Sequence, residues 1–213
     1  MNVFLNPEIA HSYDDYYQSD FGKQVDNIEQ DIIGALIKEL RGSEMLELGC
    51  GTGHWSNYFV KKGFSVTGID ISNAMLDIAM NKKVNARLKI GDAQNIPFRD
   101  QSVQIISSIT MLEFVDDQDK VINEIWRVLK KDGWLILGCL NKNSIIGINK
   151  QHDESFRDAT FLSVTDIKAK LEKFEILQIK SGVYLTTDYQ ILDGKEANKD
   201  VEPVFIGILA QKK

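Results

Sequence analysis

Apolar positions along the chain fall into two periodicities. Residues 24–40 place Ile28, Ile32, Ile33, Leu36, Ile37 and Leu40 three and four apart, which predicts an amphipathic helix. Short aliphatic and β-branched runs predict strands near 44–48, 65–69, 86–90, 104–108, 134–140, 175–181 and 203–210. Helical patterns near 55–62, 73–81, 117–130 and 164–172 fall between them. Such alternation predicts an α/β fold with a doubly wound, mostly parallel seven-stranded sheet covered on both faces. The last run, Val204–Ala210, follows a strand with no obvious helix between, so an antiparallel hairpin at the sheet edge is expected there. No repeat, low-complexity stretch or Pro-rich linker divides the chain, and the polar stretch Asp193 to Pro203 reads as a mobile hairpin or lid.

The stretch Met45–Gly53 adds chemistry to this pattern. It is a strand ending in an acid, Glu47, followed by glycine at every second position: Gly49, Gly51 and Gly53. Glycine lets backbone approach a ligand where a Cβ would collide. The helix that follows would turn its free N–H groups toward the same ligand. A dinucleotide fingerprint needs glycine at the sixth position of the loop, where this chain has His54. Glu47 would repel a pyrophosphate but suits an ammonium or sulfonium. Ser65–Asp70 is a second strand ending in an acid, about twenty residues past the glycine loop, where a carboxylate meets ribose hydroxyls. A third run, Ala86–Ile90, leads into Gly91-Asp92-Ala93.

In order and spacing, these segments and Val103–Asp117 and Leu129–Leu137 resemble motifs I, post-I, II and III of the class I S-adenosylmethionine (SAM) dependent methyltransferases. The similarity is to the ubiquinone-biosynthesis-like, type 11 family, and it covers roughly residues 40–140. It implies methyl transfer from SAM, with S-adenosylhomocysteine (SAH) as product. On that resemblance Gly49, Gly51 and Gly53 admit the methionyl part, Glu47 orients its ammonium and Asp70 holds the ribose. Asp92 and Ala93 would hold the adenine, Ile71 and Met75 would line its pocket, and Ile109 would join the cofactor set. It also implies one domain over 1–213: a helical cap or flap over 1–40, a cofactor core over 41–140, and a substrate-side loop with a C-terminal hairpin over 141–213. A SAM-binding regulatory or partner protein without transferase activity is the alternative. An NAD-dependent oxidoreductase is disfavoured by Glu47 and His54.

Three regions could build the substrate side. The segment from His11 to Tyr17 is rich in tyrosine, a residue with an apolar face and a polar tip. The same resemblance implies a flap that closes over the cofactor, with Tyr13 and Tyr17 as its cofactor contacts, and packing of the first helix onto the sheet is the other reading. Relatives often carry a histidine where this chain has Phe114, which leaves no obvious general base there. Phe114 is then a wall or stacking residue, and Glu113 either a base, an ammonium ligand or an ordinary polar helix-start residue. His152, in the 145–161 loop, has the intrinsic pKa for proton transfer but is as readily a solvated side chain. His54 reads as a neutral cap-region residue.

Charge and composition narrow the partners. A net charge of −6 argues against nucleic acid, which needs a basic face, and favours a small-molecule substrate. No apolar run approaches a membrane span and the start lacks a signal pattern, so a cytoplasmic location without membrane insertion is expected. Cys50 and Cys139 make no disulfide framework; Cys50 reads as a small residue beside the cofactor, or else as a reactive thiol. No His/Cys spacing implies a metal. Oligomeric state is not readable from the pattern.

Overall fold

The computed structural model describes residues 3–40, 44–192 and 201–213. A 3₁₀ turn at Val3–Leu5 precedes α1 (Pro7–Ser12), α2 (Asp15–Gln18) and α3 (Asp20–Leu36). Then come β1 (Glu44–Leu48), α4 (His54–Lys61), β2 (Ser65–Asp70), α5 (Asn73–Asn81), β3 (Arg87–Ile90) and β4 (Val103–Ile109). A 3₁₀ turn at Leu112–Phe114 leads to α6 (Gln118–Val128), β5 (Leu129–Leu140), α7 (Ile145–Asn149) and α8 (Val164–Lys170). The chain closes with β6 (Phe174–Gly182), the short pair β7 (Tyr184–Leu185) and β8 (Ile191–Leu192), and β9 (Phe205–Lys212).

Seven strands form one sheet in the order β3-β2-β1-β4-β5-β9-β6. The pairs from β3 through β5 are parallel, and β9 is antiparallel to both its neighbours. The antiparallel last strand is therefore as expected, but its place is not. It inserts between β5 and β6, so β6 and not β9 is the sheet edge. The burial pattern shows why: β9 is buried almost throughout, whereas β6 exposes most of its residues. An apolar strand with no polar face is more stable inside a sheet than at its rim.

Helix bounds follow local capping. The α3 helix starts four residues before the apolar stripe because Ser19 caps it, its Oγ accepting the Gly22 N–H at 2.9 Å. It buries Val25, Glu29, Ile32, Ile33 and Leu36, packing onto β6 and β9. Asn6 caps α1 with Pro7 in its first turn, so the tyrosine segment is helical. One core layer holds α3 and α4 side chains against Met45, Ile105, Ile136 and Phe205; the other packs α6 and α8 against Leu46, Ile106, Leu135 and Ile208. Residues 193–200, most of the expected lid, lie outside the described residues. Among the described residues no helix is long and apolar enough to cross a membrane.

Candidate active site

Strand β1 delivers the chain into the glycine loop at the carboxyl edge of the sheet. Gly49 and Cys50 both donate backbone N–H bonds to the Ile69 carbonyl of β2, at 2.8 and 3.1 Å, pinning the loop to the next strand. Gly49, Gly51 and Gly53 have φ of 69°, 52° and 80°, the left-handed region. Their surroundings differ. A Cβ on Gly49 would collide with Met111 and one on Gly53 with Val84, whereas one on Gly51 would meet nothing within 4 Å. Two glycines thus make room for the protein's own packing, and Gly51 opens onto empty space. Helix α4 begins at His54 with Gly53 as N-cap and no side-chain acceptor, which leaves its first N–H groups without a cap partner.

Asp70 closes β2 and ties it to the loop. Its Oδ2 accepts the Gly51 N–H and its Oδ1 the Ser72 N–H, both at 2.8 Å. Burial raises its pKa, opposed by these N–H bonds. Each oxygen keeps a lone pair for a further donor, the geometry a vicinal diol needs. Asp92 follows β3 with Oδ1 on the Gln94 N–H at 2.8 Å, and Ala93 is buried beside it.

A cavity of about 280 Å³ lies over these carboxyl ends. Its walls bring together Tyr13, Tyr17, Gly49, Cys50, Gly51, Asp70, Ile71, Met75, Asp92, Ala93, Ile109 and Phe114, all of them expected site residues. Gly53, Glu47, Glu113 and His152 are not among the lining residues. Gly53 is buried against Val84. His152 is exposed on a 3₁₀ turn with Gln151 as its hydrogen-bond partner at 3.3 Å, so the substrate-side reading of it fails on geometry. Glu47 is buried behind the loop, where Ser56 Oγ donates to its Oε2 at 2.5 Å. Burial pushes its carboxyl up to about 8, with the Ser56 bond opposing and the nearby Asp70 adding to the rise.

Other expectations need correction. Glu113 is no ordinary polar helix-start residue. It is 1% exposed, its Oε1 accepts the Leu140 N–H at 2.5 Å, and burial pushes it up to about 7. Cys50 is not a reactive thiol, because burial drives its pKa far above the usual thiol range. His54 hydrogen-bonds through Nε2 to Asp26 Oδ1 at 2.7 Å and stacks on Tyr17 at 3.8 Å, so it is an anchor between helices and not merely a cap-region group. Among the described residues no cluster of His, Cys, Asp or Glu could hold a metal ion.

The cavity also takes in residues the sequence reading passed over: Phe4, Thr52, Trp55, Gln94, Thr110 and Met111 among them. Most carry no local signal. Met111 had one in retrospect, since Gly49 is the glycine that makes space for it. Phe4, far away in sequence, reaches the wall by packing edge-to-face on Phe114 at 4.8 Å.

Comparison with known proteins agrees with this geometry. Residues 46–137 match the family described as a methyltransferase domain. An uncharacterized protein of Methanocaldococcus jannaschii is 30% identical over 217 residues, spanning the whole of both chains. Malonyl-acyl-carrier-protein O-methyltransferase of Pectobacterium atrosepticum is 30% identical over 149 residues, 68% of this chain and 59% of that protein. Among solved structures, a SAM-dependent methyltransferase of Thermotoga maritima, titled a possible histamine N-methyltransferase, superposes with TM-score 0.72 at 21% identity over 98% of each chain. The methyltransferase complexed with the Haloferax volcanii activator Trm112 gives TM-score 0.74 at 17% identity, over 100% of this chain and 98% of that one.

The open space beyond Gly51, the Asp70 oxygens held by backbone N–H groups and the buried acid behind the loop are compatible with SAM, and over residues 46–137 the chain carries the methyltransferase domain of the SAM-dependent class.

Proposed function

We propose that this methyltransferase acts on a small molecule bound in the aromatic half of the cavity, beside the cofactor half. The observation that carries this reading is the cavity itself. Its lining joins the glycine loop, Asp70 and Asp92 to a set of mutually packed rings, Phe4, Tyr13, Tyr17 and Phe114. A largely apolar cavity of this size suits a small acceptor, and among the described residues no Lys or Arg lines it to meet a phosphate backbone. The chain spans 59% of the malonyl-acyl-carrier-protein methyltransferase it matches, and that enzyme's acceptor is not carried over.

In this proposal Gly51, with Gly49 and Gly53 shaping the loop, admits the methionyl part of SAM. Glu47 meets its ammonium across the loop, directly or through water. Asp70 takes the ribose hydroxyls and Asp92 with Ala93 the adenine, against Ile71 and Met75, with Ile109 completing the wall. Bound SAM supplies an activated methyl on a positively charged sulfur. The protein's share is to orient and to exclude water. The aromatic wall fixes the acceptor in line with the methyl and displaces solvent. Tyr13 and Tyr17, on the N-terminal helices, would act as a flap over 1–40, with 41–140 holding the cofactor and 141–213 the far side of the acceptor. We take the enzyme to work in the cytoplasm, a setting that suits two unpaired, buried cysteines.

The test is calorimetric titration with SAM, SAH and NAD, repeated on Asp70→Ala. Micromolar binding of SAM and SAH, lost in the variant, with NAD silent, is expected. Binding of NAD in place of SAM would overturn the assignment of the glycine loop.

A further inference from the structure

The acceptor end of the cavity has a distinctive chemistry. Phe4 packs edge-to-face on Phe114 at 4.8 Å and on Tyr13 at 5.5 Å, and Tyr13 meets Tyr17 at 5.8 Å. All four side chains line the cavity, and an aromatic ring carries a negative quadrupole over its face that attracts a cation. Among the described residues no Lys or Arg lines the cavity, and its imidazole, His54, is held by Asp26.

Behind this ring wall sit two buried carboxyl groups. Glu113 uses Oε1 on the Leu140 N–H, while its Oε2 has no hydrogen-bond partner among the described residues. Glu29, on α3, is 8% exposed and lies within electrostatic reach of Glu113, Tyr13 and Tyr17. Neither glutamate joins an ion pair among the described residues. Burial pushes both acids toward the protonated form while no counter-cation is near, and a cation brought to the ring wall would favour their ionised form. Low-dielectric surroundings project their field into the cavity even though neither lines it.

We propose that the acceptor is a small amine taken up as a cation, its ammonium lying over the faces of Phe4, Tyr13, Tyr17 and Phe114 in the field of Glu29 and Glu113. This rests on the methyltransferase reading above and names its substrate class. Transfer balances simply. The ammonium sheds one proton to solvent and exposes the nitrogen lone pair. That pair forms the N–C bond as the C–S electron pair returns to sulfur, leaving neutral SAH and an N-methylammonium. Glu29 and Glu113 are positioning residues here; the rings make the contact.

The experiment uses three probes of one shape: phenethylamine, phenethyl alcohol and hydrocinnamate, titrated into the full-length protein saturated with SAH. The amine is expected to bind at least about tenfold more tightly than the alcohol, with the carboxylate weakest. Glu113→Gln keeps an oxygen for the Leu140 N–H, so the fold is retained; it is expected to cut the amine preference by about tenfold. Affinity for SAM and SAH should stay within about twofold of the parent. Phe114→Leu should reduce amine affinity without favouring the carboxylate. Equal binding of the three probes, or no binding of the amine, overturns the proposal while SAH binding leaves the cofactor reading standing. Loss of SAM affinity in Glu113→Gln with the amine preference intact would assign the glutamates to the sulfonium instead. Failure of SAH itself to bind removes the cofactor reading and this inference with it.

Discussion

At the scale of single residues, Glu47 and Gly51 show how much one position can carry. Glu47 occupies a buried strand position that packing alone would give to an aliphatic side chain, and it keeps a carboxyl there with Ser56 as a hydrogen-bond donor. Glu47→Gln removes a buried group whose ionisation is resisted by burial. The variant is expected to be at least as stable as the parent at pH 8.5 by urea unfolding, yet to bind SAM about tenfold or more weakly by calorimetry. Weakened folding with intact SAM affinity would contradict that role. Gly51→Ala combines a φ of 52° with a methyl projecting into the open cradle. Its main effect should be on SAM affinity, where Gly51→Ala costs about tenfold by the same titration, with a loss of folding stability near 1 kcal/mol. The glycine spacing and the acids at strand ends were readable in the sequence because they are local. The depth at which Glu47 and Glu113 are buried was not, because burial is set by what α4, α3 and the 156–161 loop lay over them.

Among the elements, the N-terminal helices depend on contacts distant in sequence. Asp14, between α1 and α2, accepts Thr52 Oγ from the glycine loop at 2.7 Å and Lys82 Nζ from the end of α5 at 2.8 Å. The Lys82 pair is part-exposed and worth little, whereas Thr52 is buried and loses the acceptor of its hydroxyl proton if Asp14 is cut back, keeping Lys82 as a donor at 3.2 Å. Asp14→Ala is expected to lower amide-exchange protection over residues 7–18 while leaving the strands unchanged, which hydrogen-exchange mass spectrometry would read. Equal loss of protection across the sheet would show that the segment is no separate unit. On the other side, Arg127 of α6 holds the loop after β3, donating to the Ile96 and Phe98 carbonyls at 2.9 Å each and to Glu124 and Asp100. Arg127→Ala removes the side-chain donor from both carbonyls, leaving Ile96 only the Phe98 N–H, and should cost about 2 kcal/mol in chemical unfolding. Helix periodicity predicted α3 to α6 closely. It did not foretell α1, α2 or α7, whose four to six residues are too short for an apolar stripe and are set by caps such as Asn6 and Ser144.

For the molecule as a whole, three buried carboxyls set a pH dependence. Glu29 and Glu47 are pushed by burial to about 8 and Glu113 to about 7. The unfolded chain releases these protons from about pH 4.5 upward, while the folded protein holds them. Their contribution therefore makes the protein lose stability as pH rises from about 4.5 to about 8, after which the loss levels off. Urea unfolding at pH 6 and pH 8.5 should give the lower midpoint at the higher pH. Glu29→Gln or Glu113→Gln should shrink the difference, and an unchanged difference in both would rule these groups out as its source. The sequence alone determined the α/β alternation, the parallel core, the cofactor loop and the family, because those depend on periodicity, glycine and acids within a few residues of one another. Only the tertiary structure decided that β9 enters between β5 and β6, that Phe4 and the tyrosines reach Phe114, and that the glutamates are buried behind them. Those outcomes come from pairing and packing between residues 23 to 110 positions apart, which no local pattern encodes.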